Sequence, residues 1–219
     1  MRYFIITIIF IALAITGKAQ ENMLIKKIAG KEIIRKGYNE SGDLISKQKF
    51  SISNLDSSKD YLSVKILVSL FDDKDKLTNS YTTTYVCNPG ESNIILSVFP
   101  FARQNNADYI IDASSTGLKG LYNFPENVNK LSDVNLTMSV KSGLLSFFGS
   151  KNIVSLKNRS VEIKVGNYIL KSDLTVDAYL WGMRVKSIRY VVIEKLDSEK
   201  FIISQVFRNE DGSYFSIDY

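Results

Sequence analysis

The sequence predicts an all-β protein: an antiparallel curved sheet forming a partly or fully closed barrel or sandwich, preceded by an N-terminal signal peptide. Three observations carry this expectation. Apolar residues recur at every second position in one segment after another, the spacing that turns one face of a strand inward. Clusters of Asp, Asn and Gly separate these segments at short intervals and supply turn chemistry. Sustained helical spacing does not recur after the leader, so at most one or two short helices are expected.

The chain opens Met1-Arg2, continues through an apolar stretch over residues 3–16, and leaves it through Gly17-Lys18-Ala19 before Gln20. This is the basic start, apolar middle and small-residue exit of a secretory signal, with cleavage expected between Ala19 and Gln20. The rival reading, an uncleaved membrane anchor, meets the objection that a spanning helix needs about 20 apolar residues. No cysteine lies near the cleavage point, which excludes a lipid-modified cysteine there, and no later run is long enough to span as a helix. The expected division is therefore 1–19 as signal peptide and 20–219 as a single β-rich exported domain. No proline-rich or serine-rich linker divides the remainder.

Along the mature chain, Leu62, Val64, Ile66, Val68 and Leu70 alternate with Ser63, Lys65, Leu67, Ser69 and Phe71, which predicts a strand with its even positions inward. Asp72-Asp73-Lys74-Asp75-Lys76 supplies a turn, and the Thr-, Tyr- and Val-rich stretch 80–87 returns, so residues 61–87 are expected to form a hairpin. The alternation resumes at Val134, Leu136, Met138 and Val140. It continues at Val161, Ile163 and Val165 before the turn Gly166-Asn167, and again at Leu170, Leu174, Val176 and Ala178. Further strands fit 183–195, 201–207 and 214–219. All are expected to be short and antiparallel. Between Ile94 and Tyr122 the pattern weakens, and that stretch is expected to be a long loop or a short helix.

Composition excludes more than it assigns. The chain has no histidine, which removes Ser-His-Asp and Cys-His nucleophiles, histidine-held zinc and the usual proton shuttle. Cys87 is the single cysteine, so it makes no intramolecular disulfide; the expected state is a buried, inert thiol, the alternative a reactive one. No phosphate-binding glycine loop and no nucleophile elbow is present. The net charge is +5, of which Arg2 and Lys18 in the leader supply two, and the remaining cations are interleaved with acids. That pattern is a solvated surface, so no nucleic-acid partner is expected.

Weaker candidates remain. Paired carboxylates hydrolyse glycosides without histidine, yet Asp72, Asp73, Asp75, Asp197, Glu199, Glu210 and Asp211 sit where turns are expected. The Asp72-Asp73-Lys74-Asp75 run lacks the glycine and glutamate spacing of a calcium loop and reads as a turn. No cofactor and no metal is expected. Tyr122, Phe124, Phe147, Phe148 and Trp181 lie in or beside irregular segments and are the candidate ligand-binding residues: at a barrel mouth they would hold an apolar ligand. The competing reading is that these rings fill the core. The glycine-bounded stretch Gly143-Leu144-Leu145-Ser146-Phe147-Phe148-Gly149 is either an exposed contact tip or a hairpin end packed over one opening.

Several motifs in order resemble the TapB-like group of uncharacterised exported proteins common in the Bacteroidota. They are Lys36-Gly37-Tyr38-Asn39-Glu40-Ser41-Gly42-Asp43-Leu44, Val86-Cys87-Asn88, Tyr122-Asn123-Phe124-Pro125 and Asn158-Arg159-Ser160-Val161-Glu162. Trp181-Gly182-Met183-Arg184-Val185 approximates a late glycine-rich element of that group. The resemblance implies an all-β exported domain and carries no catalytic residue.

The function expected from these readings is that of a non-enzymatic envelope protein, periplasmic or at the cell surface, binding a hydrophobic ligand or an envelope protein partner. The alternatives are a structural or assembly component with no small ligand and a carboxylate-based hydrolase. Facing acids in a cleft would mark the last, and a filled core with an exposed apolar edge the structural component.

Overall fold

The computed structural model describes residues 24–58, 61–87, 110–114, 121–122, 124–140, 151–180 and 182–219. The leader, Phe147, Phe148 and Trp181 lie outside them.

The alternation seen in the sequence becomes one sheet. Its strands are β1 (Glu32–Tyr38), β2 (Leu44–Ile52), β3 (Asp56–Ser57), β4 (Leu62–Phe71), β5 (Leu77–Cys87), β6 (Ile110–Ser114), β7 (Val134–Val140), β8 (Lys151–Lys164), β9 (Asn167–Leu180), β10 (Met183–Asp197), β11 (Ile202–Arg208) and β12 (Tyr214–Asp218). They are ordered β2-β1-β12-β11-β10-β9-β8-β7-β6-β5-β4-β3. A further ladder joins β2 to β4, setting Phe50 opposite Val68 and Ile52 opposite Ile66. This ladder brings the two ends of the curved sheet together around one core.

The inward faces follow the sequence pattern. On β4, Leu62, Val64, Ile66 and Val68 are buried while Lys65 and Leu67 face out. On the other side of the core Val192, Leu196, Phe207, Phe215 and Ile217 are buried. Phe207 stacks on Phe215 with ring centroids 4.5 Å apart, and Tyr190 meets both edge-on. Each such side chain contributes roughly 1.5–3 kcal/mol by leaving water. A single turn and a half of helix, α1 (Leu24–Ile28), adds Ile25 and Ile28 to this core from one residue face, three positions apart.

The expected hairpin over 61–87 forms as β4 and β5. Its turn is held by Asp72, whose carboxylate accepts the amides of Lys74 and Lys76 at 3.0 and 2.9 Å. Asp197 does the same between β10 and β11, accepting the amides of Glu199 and Phe201, both at 2.9 Å. In the β11–β12 turn Asp211 accepts the amide and hydroxyl of Ser213. Three of the aspartates expected in turns are thus occupied by backbone donors.

Four expectations need correction. Residues 110–114 form a strand within the stretch expected to be a loop or helix, where β6 bridges β5 and β7. The β5–β6 contact is parallel, where all the strands were expected to be antiparallel. Strands β8, β9 and β10 are long, at 14, 14 and 15 residues, since apolar alternation is not needed where a hairpin extends past the core. For the same reason Ile163 and Val165 are exposed at the β8–β9 tip, although Val161 before them is buried.

Candidate functional site

Two places combine chemistry with position: a polar cluster in the core and an exposed strand edge with a groove beside it.

The polar cluster begins with strand periodicity. On β10 the inward positions are Val192, Glu194 and Leu196, so an acid occupies a slot flanked by apolar residues and is 4% exposed. Its cross-strand neighbour on β11 is Gln205, also fully buried. The carboxylate Oε1 accepts the Tyr122 hydroxyl at 2.7 Å and Gln205 Nε2 at 2.6 Å. Gln205 Oε1 in turn accepts the hydroxyl of Tyr219.

Arg159 reaches the interior because β8 is irregular between Lys157 and Ser160, where Asn158 takes a positive φ of 51°. Such a bulge re-aims the following side chain. The Arg159 guanidinium donates to the carbonyls of Ser132 at 2.9 Å and Leu121 at 2.5 Å. It thereby ties the segment before β7 to the wall of the sheet.

Burial governs the ionisation of these groups. It raises the Glu194 carboxyl above its ordinary range, opposed by the hydrogen bonds from Tyr122 and Gln205 and by the charge of Arg159. Burial first, and then the Glu194 charge, pushes the Tyr122 and Tyr219 hydroxyls well up. It also lowers the Arg159 guanidinium, against the pull of Glu194. The groups acting on Glu194 are a cation and hydrogen-bond donors, which do not make the acid–acid pair that glycoside hydrolysis uses. The arrangement is a buried, mutually satisfied network that fastens Tyr122 to β10 and, through Glu194 and Gln205, to β11.

Tyr122 and Phe124 therefore stand in the packed core, 8% and 5% exposed. Phe124 meets the edge of Tyr168 at 5.5 Å, and its carbonyl accepts Lys200 Nζ at 2.5 Å. The structure brings these two candidate residues together. Sequence reasoning passed over Glu194, Gln205 and Arg159, although the first of them interrupts an apolar alternation.

The second place lies on β10. This strand pairs with β9 along its full length, but β11 joins it only from Val191 onward. Among the described strands, none pairs with the other edge of residues 183–189. Residues 183–187 and Arg189 are exposed, with Met183 at 63% and Val185 at 58%. An open groove of about 560 Å³ lies beside this edge, lined by Arg184, Ser187, Ile188 and Arg189 and by Asn209, Glu210 and Asp211 of the β11–β12 turn.

No family model matches the chain, and no curated protein does. Two solved structures are similar. One is a candidate lipoprotein of Parabacteroides distasonis, at 13% identity and a TM-score of 0.48, with 87% of this chain and 93% of that chain covered. The other is a candidate exported protein with a YmcC-like fold from Bacteroides fragilis, at 16% identity and a TM-score of 0.43 with the same coverage. Neither likeness assigns a role to a residue here. The resemblance to the TapB-like group rests on the sequence motifs alone.

Proposed function

We propose that this chain is an exported, non-enzymatic binding module of the cell envelope that engages a partner protein through its outer surface. The leader pattern over residues 1–19 supports export. The observation that carries the binding reading is the exposed arm of β10, which leaves a strand edge, two large apolar side chains and a groove accessible together. Tyr122 and Phe124 are engaged in the core, which favours the outer surface over an interior ligand as the working site. The absence of histidine from the sequence and the cation facing Glu194 both argue against acid–base catalysis.

Native mass spectrometry of the protein purified gently from its own envelope tests this reading. The expected spectrum shows a mature chain beginning at Gln20, free of small ligand and partly in complex with a second polypeptide. A stoichiometric lipid adduct with no protein complex would overturn it in favour of an apolar-ligand carrier.

A further inference from the structure

Resting on the reading of the outer surface as a partner site, we infer that residues 183–190 of β10 accept an extended acidic polypeptide as an added strand. The place is defined by the course of β11. That strand runs antiparallel to β10 until Arg208 lies opposite Val191, then turns away through residues 209–213 into β12. Had it continued, it would have covered the β10 edge over residues 183–190. The groove lined by Arg184, Ser187, Ile188 and Arg189 occupies that space, with Asn209, Glu210 and Asp211 closing it where β11 leaves. An incoming segment therefore lies in line with β11 and takes up the backbone ladder that β11 abandons. Eight residues of strand span about 27 Å, enough for a peptide of ordinary strand length, and main-chain hydrogen bonds supply its affinity.

Charge selects the occupant. The arm reads Met183-Arg184-Val185-Lys186-Ser187-Ile188-Arg189, with three cations and no acid. Two copies of this edge laid against each other would bring six cations together, which opposes self-pairing. The bulge at Val185 leaves Arg184, Ser187 and Arg189 on one face of the arm and Lys186 and Ile188 on the other, so a strand bearing alternate acids turns them toward Arg184 and Arg189 and sets its other side chains against Ile188, with the Lys186 charge adding to the attraction. Arg184 is partly engaged already, 3.8 Å from Asp177. Glu210 and Asp211 stand only at the closed end of the groove, so the preference for acids belongs to the arm away from that turn.

The test uses the mature full-length chain and synthetic eight-residue peptides of alternating valine and glutamate, with a valine–lysine peptide as the control. Amide hydrogen exchange is followed residue by residue. The expected result is slower exchange within residues 183–190 on adding the glutamate peptide, none with the lysine peptide, and a reversed preference in the double variant Lys186→Glu/Arg189→Glu. That variant should bind the glutamate peptide at least about tenfold more weakly, a change of roughly 1.4 kcal/mol. Equal binding of both peptides, or protection elsewhere in the chain, overturns the inference. Binding of vesicles containing anionic lipid, lost in the double variant and unaccompanied by peptide binding, also overturns it and assigns the arm to a membrane surface. If the glutamate peptide fails while native mass spectrometry still shows a protein complex, strand addition falls and the partner-binding reading stands.

Discussion

Replacing Tyr122 by Phe removes one oxygen from the interior and leaves the ring in place, so it isolates the contribution of a single hydrogen bond to the polar cluster. The hydroxyl donates to Glu194 Oε1 at 2.7 Å, and both residues are buried. A hydrogen bond to a charged group contributes about 1.5–3 kcal/mol. The upper part of that range applies, because donor and acceptor are both buried, although Gln205 Nε2 stays on the same oxygen. A loss of about 2–3 kcal/mol is therefore expected at pH 8. With a urea dependence of about 1–3 kcal/mol per molar for a domain of this kind, the unfolding midpoint should fall by about 1 M with an unchanged slope. Tyr61→Phe, at an exposed position, serves as the control and should stay within about 0.5 kcal/mol of the parent. A midpoint for Tyr122→Phe that matches this control would refute the claim that the Tyr122–Glu194 bond fastens Tyr122 to the sheet.

Three further outcomes are expected. Burial raises the Glu194 carboxyl above its ordinary value of 4.5, so the folded chain holds a proton that the unfolded chain releases. The stability from this group is complete below that value and is lost as pH rises through the raised one. Glu194→Gln should flatten the decline of melting temperature with rising pH above about 4.5, and an unchanged profile would show that another group is responsible. Phe207→Ala, at a fully buried ring stacked on Phe215, should cost about 3–5 kcal/mol in the same urea assay; a cost under about 1 kcal/mol would mean that the core is not packed there. Gly166 turns the β8–β9 hairpin with φ at +73° and open space around its Cβ position, so Gly166→Ala should cost about 1 kcal/mol from backbone strain alone. A neutral result would mean that the turn relaxes to another geometry.

The strands that face the core were legible because alternation and burial are the same fact seen twice. Leu62 through Leu70 announced β4, and the Asp72 turn followed from the preference of aspartate for capping its own turn amides. What stayed hidden has physical reasons. Strand β6 opens on two adjacent isoleucines, Ile110 and Ile111, and shows no clean alternation, while on the outer arms of β8 to β10 alternation does not report burial, since Ile163, Val165, Met183 and Val185 are exposed there. The polar cluster was partly legible, since Glu194 stands between Val192 and Leu196 at inward spacing. A charge in such a slot needs partners, but those partners come from residues 121–122, from β8, from β11 and from the C-terminal Tyr219, and only the folded chain brings them together. Arg159 was further masked by the bulge that turns it inward against the simple alternation. The aromatic residues singled out in sequence divide accordingly: Tyr122 and Phe124 are core residues, one of them with its hydroxyl committed to Glu194.

The central claim, that the exposed arm of β10 is where the protein meets its partner, is tested most directly by a photo-crosslinking residue placed at Ser187 in the exported chain within its own envelope, with the fully exposed Val165 at the distant β8–β9 tip as comparison. The account predicts a discrete protein adduct from position 187, none from position 165, and loss of the adduct when Lys186 and Arg189 are both changed to Glu. No adduct from position 187, or the same adducts from both positions, would contradict it.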